Sequence, residues 1–528
     1  MFLLAVALPI AFFPLSEAAF VDVKLTILTL GTLLVWLSGL PVDRHLGGPA
    51  LTLALAFVAA AVFGVDTAQS LVGTIAPTGL ITLSCCVALV AIAPAIPNAV
   101  LARARVWSVR TALALAGIAV VEQLAPAVLD AFAEDESFIG STLGNPVILA
   151  GFLAAAIPMA VGGEGSSRRV VAIVAALGVG FAVVGERSAY LLPLVALVAT
   201  WFFVRPPMRR LAVAGAALVV TFVLWTSIAA SIGADGGSSR VAGQFSTTAA
   251  ERQRLAVWTA QVRAVADRPL VGWGPANEWN SYVASATSEE MAVAGRYWGD
   301  AHNLVIGIGV VAGAAGLLAF GWLLWRLVPR LVRAPRPRAF AAASAATLGV
   351  YLMYEPLDVT LLPMAFLFAG AAVGPSSIAS TRPRRGAVRA GVAAVLVAAT
   401  AIATIGLASS SLEQWGRRHA GSRWAFERAW AIAPWRISAA EALAIDLALD
   451  GRAGDAAAAA RAREVVDRIV EAHPTSPGVR LLAADVELLL RNFEGTRHWI
   501  AEHLRWFPND DVQVPEDEPG VSIDLSNG

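Results

Sequence analysis

The sequence contains very little cysteine. Among its 528 residues only Cys85 and Cys86 are cysteines, and they are neighbours within an apolar run. Adjacent side chains on a helix point about 100° apart, so we interpret the two as small packing residues rather than as a redox or metal-binding pair. Two adjacent thiols also leave the rest of the chain without a disulfide framework or a cysteine-based metal site.

Charge is scarce as well, and lysine is almost absent. Charged residues make up 15% of the chain, Lys24 is the only lysine among the 39 basic residues, and the formal net charge is zero. This balance gives no indication of a partner, and we expect no nucleic acid among the partners.

Long apolar runs dominate what is present. The chain is 57% hydrophobic and its mean hydropathy is +0.67, which excludes a soluble protein of this length. The N-terminus is apolar from Met1 onward without a basic leader, so we expect a first membrane helix rather than a removed signal. We predict an all-α, polytopic membrane protein of about 12–13 transmembrane helices, because apolar segments that approach the length of a hydrocarbon core of about 30 Å recur along the chain. They cover residues 1–15, 24–40, 49–64, 78–96, 108–128, 144–162, 168–185, 187–204, 210–229, 303–326, 337–355, 358–377 and 387–407.

Arginines alternate between the connecting segments and predict the orientation. Short cytoplasmic loops collect positive charge. The basic loops contain Arg44; Arg103, Arg105 and Arg110; Arg168 and Arg169; Arg205, Arg209 and Arg210; Arg326 to Arg338; and Arg382 to Arg389, whereas Asp22, Asp66, Glu134 to Glu136, Glu355 and Asp358 mark the intervening loops. The N-terminus is therefore predicted to be cytoplasmic and the C-terminus external, with Arg187, Arg254 and His302 together on the outer face.

Two long polar segments interrupt the apolar pattern, at residues 231–301 and from residue 408 onward, and they define the domains. We divide the chain into an N-terminal transmembrane bundle (1–230), an extracytoplasmic loop (231–301), further transmembrane helices (302–407), an extracytoplasmic helical region (408–510) and a disordered acidic tail (511–528). In the helical region Pro434, Pro474 and Pro508 each follow a predicted helix end, and the last interval resembles the roughly 34-residue period of tetratricopeptide repeats. Such arrays usually bind proteins, so we expect a protein partner there.

His302 is the best placed candidate for proton chemistry. It lies where the long loop meets the next apolar helix, and the positive end of a helix dipole is expected to keep its imidazole neutral and able to accept a proton. The alternative is a histidine that only makes a structural hydrogen bond. The other five histidines lie in a cytoplasmic loop or in the C-terminal helical region.

Two arginines are predicted to share the side of His302. Arg187 separates two apolar runs, and Arg254 lies four residues before Trp258 on one face of a helix predicted over residues 248–267. Two guanidinium groups can bind a diphosphate bidentately without a metal. The alternatives are an ion pair of Arg187 with Glu186 and an ordinary exposed arginine at 254. No acidic cluster has a ligand-like spacing with histidine, so we expect no metal and no cofactor.

The order of several short motifs resembles the O-antigen ligase and polymerase superfamily of bacterial membrane glycosyltransferases. The resemblance covers most of the membrane region and is carried by the motifs together rather than by any one of them. They are TLGNP at 142–146, ERSA at 186–189, Arg254 to Trp258 followed by PLVGWG at 269–274, and AHN at 301–303 followed by GAAGL at 313–317. Glu186 departs from the family, in which a small polar residue often precedes the arginine.

This resemblance implies a helical fold of the GT-C type, at the bacterial cytoplasmic (inner) membrane, with an undecaprenyl-diphosphate-linked glycan as donor. It implies that Arg187 and Arg254 bind the diphosphate and that His302 deprotonates or orients the acceptor hydroxyl, with inversion at the anomeric carbon. Trp258, Asn303 and Glu186 are candidate supporting residues. The acceptor is a glycolipid, a glycan or a protein. The alternatives are a polymerase of lipid-linked repeat units, a protein O-oligosaccharyltransferase and, from another class, a glycolipid transporter or flippase.

Overall fold

The computed structural model describes all residues except 74–78, 126–140, 164, 187, 232–248, 296–297, 376–384, 420, 511 and 513–528. Arg187 and nearly all of the predicted acidic tail, 511–528, therefore lie outside the described residues. Every regular element of the described part is helical. Together with the apolar helices described below, this confirms the predicted all-α, polytopic membrane fold.

The described part contains 22 α-helices, numbered here in chain order. They are α1 Leu8–Ile10, α2 Asp22–Leu37, α3 Arg44–Phe63, α4 Thr67–Val72, α5 Leu80–Ile92, α6 Asn98–Leu124, α7 Pro146–Val161, α8 Ser167–Val184, α9 Ser188–Ala199, α10 Met208–Ser231, α11 Ala249–Asp267, α12 Glu278–Ser285, α13 Ser288–Ala294, α14 Leu304–Val332, α15 Ala339–Tyr351, α16 Leu361–Val373, α17 Arg385–Arg418, α18 Arg423–Ile432, α19 Ile437–Arg452, α20 Ala456–Ala472, α21 Pro477–Leu489 and α22 Phe493–Trp506. Shorter turns of π-helix cover Leu3–Ala7 and Thr200–Val204, and turns of 3-10 helix cover Ala93–Ala95, Ser141–Leu143 and Arg336–Arg338.

Six of these helices are long and apolar enough to cross a membrane, namely α3, α6, α8, α10, α14 and α17. Four shorter apolar stretches accompany them, at Leu80–Ala95, Pro146–Val161, Ala189–Val204 and Leu361–Val373. All ten overlap segments that the sequence predicts. Helix α17 runs past the expected boundary at residue 407, because no left-handed glycine ends it before Gly421, where φ is 79°.

The two ends of the helical bundle carry different side chains. At one end Arg338 donates to the carbonyl oxygens of residues 94, 96 and 371, and Arg330 pairs with Asp43 at 2.9 Å. At the other end lie Asp66, which follows α3, and Glu355, which lies between α15 and α16. The alternation of basic and acidic loops thus corresponds to two opposite ends. Which end faces the cell exterior stays a prediction from the arginines.

Helix α14 is broken within its apolar sequence. Gly313 has φ 57° and ψ −153°, so the helix consists of a short first half and a longer second half. Segment 269–274 of the long loop lies in the gap and satisfies the backbone groups that the break sets free. Four bonds of 2.7–3.2 Å join the two segments: Trp273 N–H to Val310 O, Gly274 N–H to Val311 O, Ala314 N–H to Pro269 O and Ala315 N–H to Leu270 O.

Gly272 is required for this contact, and its replacement gives a first prediction. Its φ is +71°, and a Cβ added there would lie 2.4 Å from the carbonyl oxygen of Val310. We expect Gly272→Ala to lower the midpoint of thermal unfolding in detergent well below that of Gly295→Ala. Gly295 is a control for backbone strain, because its φ is +85° and its ψ 172°, a conformation that favours glycine, but nothing lies within 4 Å of an added Cβ, so it carries only the backbone cost of about 1–3 kcal/mol. Equal midpoints would contradict the close contact.

The C-terminal helices end in a repeated way. Ala433, His473 and Phe507 have φ between −136° and −128° and ψ between 59° and 71°, and each precedes a proline, which excludes the helical conformation. The helix ends predicted at Pro434, Pro474 and Pro508 are therefore confirmed. Helices α19 with α20, and α21 with α22, form packed pairs. Their likeness to tetratricopeptide repeats stays a prediction.

This C-terminal helical region packs on the end of the bundle that carries the long loop. Phe507 is buried in a small core with Val257 and Tyr282 of the loop helices, and the amide of Asn509 donates to the carbonyl oxygen of Ala286 at 3.1 Å. Further along, the ring of His473 contacts Asp66 at 2.6 Å with both side chains buried. The loop helices α11 to α13 therefore lie between α14 and the C-terminal helical region.

Candidate functional site

His302 sits in a strained turn immediately before α14. Its φ of 47° lies in the left-handed region that a histidine rarely adopts. Asp300 holds this conformation, since one of its carboxylate oxygens accepts from the His302 backbone N–H at 2.6 Å and lies 2.5 Å from the ring Nδ1. The indole of Trp298 packs edge-on against the imidazole with 4.9 Å between ring centroids.

The contact with Asp300 decides which nitrogen of His302 is available. A carboxylate accepts, so in the neutral ring the proton resides on Nδ1 and donates to Asp300, which leaves the lone pair on Nε2. The ring is about a quarter exposed and Asp300 is buried. The histidine is thus oriented by an acid and can accept a proton at Nε2.

The electrostatics of His302 differ from the sequence-based expectation. Burial disfavours the imidazolium, but the charge and hydrogen bond of Asp300, assisted by the charge of Glu355, outweigh it and raise the pKa of His302 above its usual value. The expectation from the helix start considered only an effect that disfavours the imidazolium and omitted the carboxylate two residues away, which favours it. Sequence reasoning assigned Asp300 no role beside His302, although its spacing of two residues from His302 was the available signal.

Asp300 is itself fixed by the opposite loop. Its second oxygen accepts from the backbone N–H of Leu357 at 2.9 Å. Leu304 N–H donates to the carbonyl oxygen of Leu352 at 2.7 Å. The segment before α14 and the segment between α15 and α16 therefore lie side by side.

Arg254, on α11, lies close to His302 and forms an ion pair with Glu355, to which the sequence analysis assigned no role in the site. Its guanidinium pairs with Glu355 at 3.0 Å, and the Glu355 side chain is buried while that of Arg254 is one-third exposed. Burial raises the pKa of Glu355 to about 7, against the opposing charges of Arg254 and His302. Glu355 entered the sequence analysis only as a marker of loop sidedness.

Two of the predicted supporting residues brace the turn. The indole N–H of Trp258 donates to the carbonyl oxygen of Ala301 at 2.9 Å, which ties α11 to the residue before His302. Asn303 caps α14 by accepting from the N–H groups of Val305 and Ile306, and its amide donates to Met353 O at 3.1 Å. Both residues act on the backbone around His302.

The other predicted arginine, Arg187, lies outside the described residues, but its neighbour Glu186 does not. The charge of Glu186 is among those that raise the pKa of Glu355, so Glu186 lies near the same group of side chains. Among the described residues no three His, Cys, Asp or Glu side chains are arranged to hold a metal ion.

A family comparison covers the segment that supplies these residues. Residues 171–321, or 151 of the 528, match the O-antigen ligase family model. Residues 171–321 belong to the O-antigen ligase family. The resemblance inferred from the short motifs is thereby confirmed, and the ligase segment runs from within α8 to within α14, including positions 187, 254 and 302. No curated protein matches the chain.

Proposed function

We propose that the protein is a metal-independent, inverting glycosyltransferase that moves an oligo- or polysaccharide from undecaprenyl diphosphate to an acceptor hydroxyl. The family match supports a membrane glycan ligase or polymerase type of activity. The observation that carries the finer proposal is the pairing of His302 with Asp300 beside the pairing of Arg254 with Glu355. We place the reaction at the outer face of the cytoplasmic membrane, with the N-terminus inside and the C-terminal helical region outside.

In the proposed step the acceptor oxygen forms a bond to the anomeric carbon while the bond from that carbon to the diphosphate oxygen breaks. The electron pair leaves with the diphosphate, and the acceptor proton passes to Nε2 of His302. Arg254, together with Arg187, would bind the diphosphate and stabilise the charge that develops on it. Asp300 would stabilise the imidazolium that results, as a carboxylate partner does in other histidine bases.

Reconstitution tests the proposal directly. Purified protein in liposomes is supplied with a glycan on undecaprenyl diphosphate and with a candidate acceptor. We expect release of undecaprenyl diphosphate in step with glycan appearing on the acceptor. Growth of the glycan on the lipid carrier would instead indicate a repeat-unit polymerase, and glycan on an acceptor protein would indicate a protein O-oligosaccharyltransferase. Movement of the glycolipid across the bilayer without transfer would overturn the proposal in favour of a flippase.

A further inference from the structure

The outward face of helix α11 is apolar although the helix belongs to the long polar loop. Four residues at helical spacing are exposed along one stripe, namely Leu255, Thr259, Val262 and Ala266, and Leu270 extends it beyond the helix end. Leu255, Val262 and Leu270 are 63%, 56% and 72% exposed. Thr259 does not interrupt the stripe, because its hydroxyl donates back to the carbonyl oxygen of Leu255 at 2.8 Å.

This arrangement is unusual because the opposite face of α11 is apolar too. Val257, Ala260 and Ala264 are fully buried against the rest of the loop. A surface helix in water normally has one apolar face, which it buries, and a polar face outward. Single exposed apolar residues are ordinary, but three large ones in a row with no charge between them mark a contact surface.

The stripe continues into the lipid-facing surface of a membrane helix. Ala315 of α14 donates to the carbonyl oxygen of Leu270 at 3.2 Å, which places Leu270 within one helical turn of Leu318. Leu318 is 75% exposed and lies on a helix that is apolar and long enough to span a bilayer. The apolar surface therefore runs without a polar gap from α14 onto α11.

The lengths of the helices place α11 at the membrane surface rather than above it. From Arg330 to Gly313 the second half of α14 rises by about 26 Å at 1.5 Å per residue. Helix α15, with 13 residues, rises from the same arginine-lined end by only about 20 Å, and Leu352 at its end bonds Leu304. Leu304, at the start of the first half of α14, therefore lies closer to the arginine-lined end than Gly313 does, so this half does not project outward from the membrane.

Helix α11 runs beside this half-helix. At its middle the indole N–H of Trp258 donates to the carbonyl oxygen of Ala301, and beyond its C-terminal end segment 269–274 lies in the break at Gly313. At this C-terminal end the Arg268 guanidinium lies over the Trp273 ring, 5.9 Å from its centroid. Tryptophan and arginine of this kind are typical of the boundary between lipid and water.

We propose that the stripe Leu255–Thr259–Val262–Ala266–Leu270 contacts the hydrocarbon of the bilayer, so that α11 is an interfacial helix of the membrane. The partner is the lipid surface itself. The inference rests on the helix geometry and is independent of the proposed glycosyl transfer. It also fixes the depth of Arg254 relative to the bilayer, because Leu255 is the next residue on the same helix.

Site-directed spin labelling of the full chain in lipid nanodiscs tests this surface. Leu255→Cys, Val262→Cys and Leu270→Cys are each labelled with a nitroxide; the native Cys85 and Cys86 are buried, and unsubstituted protein serves as the labelling blank. We expect the three labels to collide more with dissolved oxygen than with a water-soluble nickel chelate, as at the lipid reference Leu318→Cys. Glu289→Cys, on exposed α13, is the aqueous reference and should show the reverse.

Two results would overturn the proposal. Labels on the stripe that follow the Glu289 reference would show that it faces water. Labels shielded from both reagents would show that protein covers it, and a dipolar distance between labels on two chains would then identify a second copy as the cover. Because each single substitution replaces one exposed side chain, folding is preserved and the accessibility is measurable in every variant. Glycosyl transfer measured on the same samples separates this result from the fate of the proposed function.

Discussion

Replacing His302 with alanine is expected to abolish glycan transfer and to leave the lipid-linked donor unconsumed. Loss of a positioned base typically lowers the rate by about 10²–10⁴-fold. His302→Asn should be equally inactive, although asparagine tolerates the left-handed backbone at this position, where φ is 47°. The pair thus separates the loss of the base from backbone strain. The measurement is undecaprenyl diphosphate release by purified protein.

The control for this variant is His498→Ala. His498 is exposed on α22, so its removal should leave the rate unchanged. Substantial transfer by His302→Asn would rule out the base.

The pH profile adds a test of the Asp300 contact. Because Asp300 raises the pKa of His302, and because the neutral ring is the base, the rate should rise with pH through that raised pKa and fall below it. Asp300→Asn removes the charge that raises the pKa of His302, while burial, which lowers that pKa, remains. The acidic side of the pH–rate profile should therefore move to lower pH, and the maximal rate should fall by about tenfold. A merely structural role of Asp300 would lower the rate without moving the acidic side of the profile.

Replacing Arg254 is expected to have the second largest effect. Arg254→Ala should raise the apparent KM for the donor by about 10–100-fold, since a hydrogen bond to a charged group contributes about 1.5–3 kcal/mol. Arg254→Lys should recover only part of this, because an ammonium cannot bind a diphosphate bidentately. Arg252→Ala, exposed two residues earlier on α11, is the matched control and should behave as the parent protein does.

A double variant shows whether Arg254 serves the donor or only Glu355. Arg254→Ala leaves the buried Glu355 carboxylate without its ion-pair partner at 3.0 Å, which is itself costly. If neutralising Glu355 were the whole role, Arg254→Ala with Glu355→Gln would regain activity. We expect no such rescue of the KM for the donor.

The sequence predicted the helices better than the contacts between them. Apolar length placed the spanning segments, and the prolines at 434, 474 and 508 placed three helix ends, because both signals act locally on the backbone. The break at Gly313 was not predicted. Its surroundings are uniformly apolar, and the groups it frees are satisfied by residues 269–274, about 40 positions earlier in the chain.

The candidate site shows the same division. His302 and Arg254 stood out because polar residues beside apolar helices are rare. Glu355 did not, since its link to Arg254 is a contact between α11 and the segment after α15. For a carboxylate in a short acidic loop, the local sequence does not indicate which residue it pairs with. Asp300 was recognisable in principle, because a spacing of two residues lets one carboxylate bond both the N–H and the ring of His302.

The burial of Phe507 among the loop helices also has a consequence for biosynthesis. The core that contains Val257 and Tyr282 is completed by Phe507, about 200 positions after the end of the loop. At a synthesis rate of roughly 5–20 residues per second this corresponds to a delay of about 10–40 s. During that interval the helices that follow the loop, α14 to α17, are still being made, and the loop that bears Arg254 is without its cover. A chain terminated before Phe507 would therefore lack a side chain that completes the core of this loop, so that translation through residue 507 sets when the surroundings of Arg254 are assembled.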